Sequence, residues 1–172
     1  MARLNWFERK FAFDFPVELH PEILERLRGT PGRRAERLDQ VSDGLQTRRI
    51  AEGWSIREHA GHIADLDAGV FLSRVNAFLA GEAAMPAADL TNAATTSAGH
   101  NGRSMAEVLD AVSRARRLLV TELDGLDAEV YARTAVHPRL GVPMRLVDTM
   151  FFISEHDDHH LATITEMARE LR

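Results

Sequence analysis

Ser55-Ile56-Arg57-Glu58-His59-Ala60-Gly61-His62-Ile63-Ala64-Asp65-Leu66 carries the sharpest element boundary in the chain. Ser55 and Glu58 form a capping box: the serine hydroxyl can accept from the amide of Glu58 while the glutamate reaches back to the amide of Ser55. A long helix should follow, because Ile56, Ala60, Ile63, Leu66, Val70 and Phe78 keep roughly helical spacing until Gly81 ends it.

Three further long segments flank this one. Upstream, Pro21 to Ser42 places Ile23, Leu24, Leu27 and Leu38 on an apolar stripe, with a break expected at Gly29-Thr30-Pro31, where Thr30 as cap and Pro31 as first residue would restart the helix. Downstream, Ser104 with Glu107 repeats the cap pattern and opens a helix through Val108, Leu109, Val112, Leu118 and Leu119 to about Leu123. Its Arg114, Arg116, Arg117 and Glu122 read as a solvated face. The last segment starts near Pro143 and continues to the C-terminus, with Leu146, Met150, Ile153, His160, Ile164, Met167 and Leu171 on one stripe.

Two connections join them. Residues 81–103 read as a long loop rich in Ala, Thr, Asn and Asp, and His137-Pro138-Arg139-Leu140-Gly141 is a turn-rich link that could hold a short hairpin. Four amphipathic helices in this order predict an all-α four-helix bundle with at least one long crossover loop. Composition agrees: 172 residues, 45% hydrophobic but only 6% aromatic, suit one helical domain spanning 1–172.

The formal charge of −5 offers no excess of cations to a phosphate backbone, so no nucleic-acid partner is expected. The N-terminus carries Arg3, Glu8, Arg9, Lys10 and Asp14 rather than a signal peptide's apolar run, and no stretch is apolar over the roughly 20 residues a membrane span needs. A cytoplasmic protein is expected. The chain has no cysteine, so any metal must be held by His, Asp or Glu.

The histidines supply such a set. His156 and His160 stand four apart in the last helix, which stacks both imidazoles on one face about 40° apart. His160 shares its register with Ile153, Ile164 and Met167 and so points inward, and His156 lies beside that stripe. Two ligands from one helix need a third from a facing element, and His62, next to Ile63 on the capped helix, is the natural one. Solvent-facing or hydrogen-bonded core histidines are the plain alternative. His59 and His159 compete for the same roles. His59 lies near the helix start, and His159 is turned about 60° from the line between His156 and His160.

Trp54-Ser-Ile-Arg-Glu-His-Ala-Gly-His62 resembles the Trp-Ser-x-x-Glu-x-x-x-His opening of the second helix in DinB/YfiT-like proteins, and His156-Asp-Asp-His-His160 resembles their last-helix His-x-x-x-His. The resemblance implies a down-up-up-down four-helix bundle, often a homodimer, with a divalent metal on His62, His156 and His160. It also brings in thiol-dependent S-transferases that use bacillithiol or mycothiol and a mycothiol-dependent maleylpyruvate isomerase.

Three imidazoles leave coordination positions open, the pattern of catalytic zinc sites. Coordinated water can titrate near about 7 and a coordinated thiol is deprotonated, so hydrolysis and thiol transfer are both available to a small-molecule substrate. Without cysteine, a transferred thiol must come from a low-molecular-weight cosubstrate. Asp157, His59 and His100 are the candidates for a catalytic base. The 81–103 loop could bring His100 and Asn92 over the metal, and Arg33, Arg34 and Arg37 either attract an anionic cosubstrate or form a solvated face. Zn or Ni is the first choice of metal, with Fe, Co or Mn also compatible. The alternative is a non-catalytic metal- or ligand-binding module associated with stress.

Overall fold

The computed structural model describes residues 4–171; Arg3, one of the N-terminal charges above, and Arg172 lie outside them. Helix α1 spans His20–Asp39 and a short α2 spans Asp43–Gln46. Helix α3, Ile56–Leu66, passes through a π-helical turn, Asp67–Phe71, into α4, Leu72–Ala80. After α5, Ala93–Ser97, come α6, Met105–Leu123, and α7, Ala128–Tyr131. Strands β1, Thr134–Val136, and β2, Pro143–Arg145, lead into α8, Leu146–Glu170.

The architecture is a four-helix bundle. Helices α1 and α3 each pack against both α6 and α8, so the order around the bundle is α1, α6, α3, α8. That order makes α3 and α8 neighbours and turns His62 toward His156 and His160. Both capping boxes form: Ser55 Oγ accepts from Glu58 N at 3.1 Å, and Ser104 Oγ from Glu107 N at 3.2 Å. Gly81, at φ +72°, ends α4 in the left-handed conformation that glycine adopts without a Cβ clash. No helix among the described residues is long and apolar enough to cross a membrane.

Four expectations need correction. Helix α1 does not break at Pro31 and Thr30 is not a cap. Proline has no N–H for the carbonyl four residues earlier, Leu27 O, and Arg116 Nη1 takes that acceptor at 3.1 Å, so the helix continues. Arg116 is not on a solvated face: it is 1% exposed, between Asp67 and Asp157. The last helix begins at Leu146, because Pro143–Arg145 pair antiparallel with Thr134–Val136 in the hairpin, Ala135 opposite Met144. The 81–103 connection is also structured. It pairs with β1 through Met85 N on Val136 O at 3.0 Å, then forms α5 and a 3-10 turn at His100–Gly102.

The N-terminal residues add an extended strap. Phe11, Phe13 and Phe15 pack one face against the main core, and the carbonyls of Phe13 and Phe15 accept from Arg145 Nη2 at 3.2 and 2.9 Å. Trp6 lies ahead of them, its ring 5.0 Å from that of His156.

Candidate metal centre

Helix α3 brings His62 to the α8 face that carries His156 and His160. All three are buried, at 3%, 6% and 6% exposure, and one ring nitrogen from each lies within 4.8 Å of the others. The Nε2 atoms of His156 and His160 are 3.2 Å apart. Adjacent nitrogens on a tetrahedral ion with bonds of 2.0–2.1 Å stand about 3.3 Å apart, so the spacing suits two ligands of one ion. Burial pushes the His62 imidazole down to about 4, with Asp65 opposing and Arg34 and His100 reinforcing. Burial, then the neighbouring positive groups, also holds His156 and His160 well below the ordinary histidine value. Neutral imidazoles whose ring nitrogens gather this closely are what a cation requires. The set could hold a metal ion.

The protein fixes the tautomer of His62 from behind. Thr95 Oγ1 donates to Asp65 Oδ2 at 2.7 Å, so its single proton is used and it accepts from His62 Nδ1 at 2.8 Å. Nδ1 therefore carries the hydrogen, and Nε2 is left with its lone pair. Asp65 Oδ2 also accepts from His100 Nε2 at 2.9 Å. Burial would raise the Asp65 carboxyl, but the hydrogen bonds from His100 and Thr95 hold it below its ordinary value. On the other side, His59 Nδ1 meets His160 Nδ1 at 2.9 Å. His156 Nδ1 is buried without a hydrogen-bond partner, an uncompensated cost in the protein alone.

The remaining candidates are sorted by this geometry. Asp157 is fully buried and its oxygens are taken by Arg116 and by Thr30 Oγ1 at 2.8 Å, away from the open side of the histidines. His100 does not reach over the cluster; it supports His62 from behind through Asp65 and Thr95. Asn92 does line the open side, as does His159. Of the basic cluster, Arg33 pairs with Asp158 at 2.6 Å and Arg37 donates to Thr165 at 2.9 Å. Arg34 is buried rather than solvated and donates to the carbonyls of His59 and Ala60 at 3.1 and 3.4 Å. None of the three lines the cavity.

Several participants escaped the sequence reading. Asp65 could have been found one turn after His62. Arg116 shares the register of Val108 and Val112, which marks it as inward. Thr95 gave no signal, because a loop hydroxyl is placed by tertiary structure alone.

The open side of the three histidines faces a cavity of about 400 Å³. Trp54, Trp6, Phe71 and Phe152 form much of its wall, with the Trp54 ring 4.7 Å from His62.

No curated protein sequence matches the chain. Its fold is similar to a solved structure described as "YfiT from Bacillus subtilis is a probable metal-dependent hydrolase with an unusual four-helix bundle topology", with a TM-score of 0.79, 20% identity, and coverage of 95% of this chain and 93% of that one. It is also similar to a mycothiol-dependent maleylpyruvate isomerase, with a TM-score of 0.67, 15% identity, and coverage of 87% of this chain but 60% of the isomerase. A family model for the DinB superfamily matches residues 24–164. The chain belongs to the DinB superfamily.

Proposed function

We propose that the chain is a metal-dependent enzyme that acts on a small molecule by thiol S-transfer or by hydrolysis, with His62, His156 and His160 as ligands of a divalent ion. The observation that carries this reading is the cluster of three buried imidazoles, a ring nitrogen of each within 4.8 Å of the others, on the wall of a cavity. A closed structural site would have its fourth position filled by the protein. Zinc or nickel suits three neutral imidazoles, and iron, cobalt and manganese are also compatible. Such an ion, when bound, acidifies a thiol or water that reaches its open side.

The residues around it do the rest. Thr95 and Asp65 hold His62 in one tautomer, and His59 orients His160. Trp54, Trp6 and Phe152 keep the reacting end dry and clamp an apolar body. His159 lines the cavity with its ring 5.4 Å from that of His160, placed to take or return a proton. Because the chain has no cysteine, the thiol in an S-transfer enters with a cosubstrate. The two solved neighbours support this reading at the level of chemistry: one is described as a probable metal-dependent hydrolase and the other is an isomerase that depends on the thiol mycothiol.

Elemental analysis of untagged protein tests the ligand set. Wild type should carry about one ion per chain and His62→Ala, His156→Ala and His160→Ala much less. Equal metal in all four would refute the site. Chelator-sensitive turnover in thiol-transfer and hydrolase assays separates an enzyme from a binding module.

A further inference from the structure

The cavity has a second polar end, which the histidines do not explain. Arg74 on α4 is 3% exposed, and Arg139, in the turn between β1 and β2, has a buried Nη2 with no hydrogen-bond partner. Both line the cavity, and neither pairs with a carboxylate among the described residues. Arg74 donates through Nε to Pro86 O at 3.1 Å, and its Nη1 lies 3.1 Å from His137 Nε2. Arg139 is held over the rings of Phe7 and Phe152, 5.3 and 6.0 Å from their centroids. The backbone amides of Arg139 and Leu140 donate to His137 Nδ1 at 3.2 and 3.3 Å, which leaves the ring hydrogen on Nε2 facing Arg74 Nη1, donor against donor. The carboxylate on the cavity wall, Asp89, is used internally by the Thr91 amide and hydroxyl and the Ala93 amide.

Arg74 is buried and Arg139 is half-buried with its Nη2 enclosed; guanidinium nitrogens withdrawn from water without a counter-charge are costly, and the cost is recovered when an anion arrives. Arg116 shows the compensated case, with two carboxylates against it. Arg34 also lacks a contacting carboxylate, but it does not line the cavity.

We propose that Arg74 and Arg139 form an oxyanion subsite, and that the substrate is a small acid whose carboxylate or phosphate group binds there while its reacting group reaches His62, His156 and His160. The assignment of the reacting end rests on the metal-centre reading above. The subsite rests on the arginines alone. An aromatic path joins the two ends: His137 to Phe152 at 5.2 Å, Phe152 to Trp6 at 5.1 Å and Trp6 to His156 at 5.0 Å between ring centroids. Arg74 and Arg139 line the same cavity of about 400 Å³ as His62, His156 and His160, so one small molecule can face both ends. The apolar wall between them suits a hydrocarbon or ring spacer.

Calorimetric titration of the metal-loaded full-length protein tests this with 3-mercaptopropionate, its uncharged amide, and inorganic phosphate. The acid should bind about tenfold more tightly than the amide to wild type. Arg139→Gln should bring the two close to parity with unchanged metal content and melting temperature, while Arg139→Lys keeps part of the preference. If acid and amide bind alike, phosphate binding that Arg139→Gln abolishes would assign the subsite to phosphate esters. Equal binding of acid and amide without Arg139-dependent phosphate binding overturns the proposal. Should the protein carry no metal, the functional reading fails by itself, and butyrate against butyramide with the same variants still decides the subsite.

Discussion

Gly61 lies between His59 and His62, and the ring of His100 occupies the place of its missing side chain: a Cβ there would stand 2.3 Å from His100 Nδ1 and Cε1. The close approach lets the His100 ring reach Asp65, and Asp65 with Thr95 orients His62. Gly61→Ala should therefore act on the proposed metal centre without touching any of its three proposed ligands. The imidazole ring is rigid and the added methyl group would displace it, so the support for His62 loosens. Supporting partners of this kind are typically worth about 10–100-fold in metal affinity, and a loss in that range is expected for Gly61→Ala and for Asp65→Asn. Competition with a chromogenic chelator measures it. Wild-type affinity in both variants would mean that His62 is held by packing alone. Ser55 belongs to the same network, since its hydroxyl reaches Asn101 Oδ1 at 2.7 Å and so ties the helix cap to the loop bearing His100.

Among the elements, α1, α6, α8 and the π-helical turn meet at one buried charge cluster. Arg116 Nε donates to Asp67 Oδ2 at 2.8 Å and its Nη2 to Asp157 Oδ1 at 2.9 Å. The π-helical turn departs from α-helical register, burying Asp67 and Phe71 and leaving Val70 half-exposed. Arg116→Met would leave two carboxylates buried without their cation and the Leu27 carbonyl without its donor. Breaking such a pair costs about 3–5 kcal/mol, and urea denaturation at pH 7 should show a loss of that size. A loss below about 1 kcal/mol would mean that water replaces the guanidinium. This cluster also marks where the sequence stops being legible. Caps, stripe spacing and Gly81 are local signals, so the helices and their order could be read, and so could the inward aim of His62, His156 and His160. Pro31 reads locally as a helix start, and only a guanidinium arriving from α6 makes its helix continuous. The same holds for Arg74 and Arg139, whose meaning lies in what they fail to pair with. The strap had a readable trace in the alternation Phe11, Phe13, Phe15, whose period of two fits extended chain with one face buried.

For the whole molecule, the buried side chains include Arg34, Arg57, Arg74 and Arg116 beside the carboxylates of Glu58, Asp67, Asp148 and Asp157, together with several imidazoles. That interior sets how the protein responds to acid. His137 is pushed down to about 4 by burial, with Arg74 and Arg139 adding to the effect, and His62 reaches about 4 by burial as well. In the unfolded chain both would titrate near 6.5. Between these values the unfolded state binds more protons at these two groups than the native one, so their contribution is full above about pH 6.5 and falls as pH drops toward 4, while the buried Asp67 carboxyl, pushed up to about 6 by burial, works against them. Each group contributes a slope of up to about 1.4 kcal/mol per pH unit in that window. Around His137 the facing groups are Arg74 from α4, Arg139 from the turn and the Phe152 ring from α8, none of which accepts an added proton. Urea denaturation of the chelator-treated protein at pH 7.5, 6 and 5 should therefore show declining stability. His137→Phe should flatten the decline, since it removes one titrating group and keeps a ring against Phe152. Excess metal should add stability at pH 7.5 by mass action and lose that increment as the ligand histidines protonate. A decline that His137→Phe leaves unchanged would show that the His137 imidazole is not buried in its neutral form.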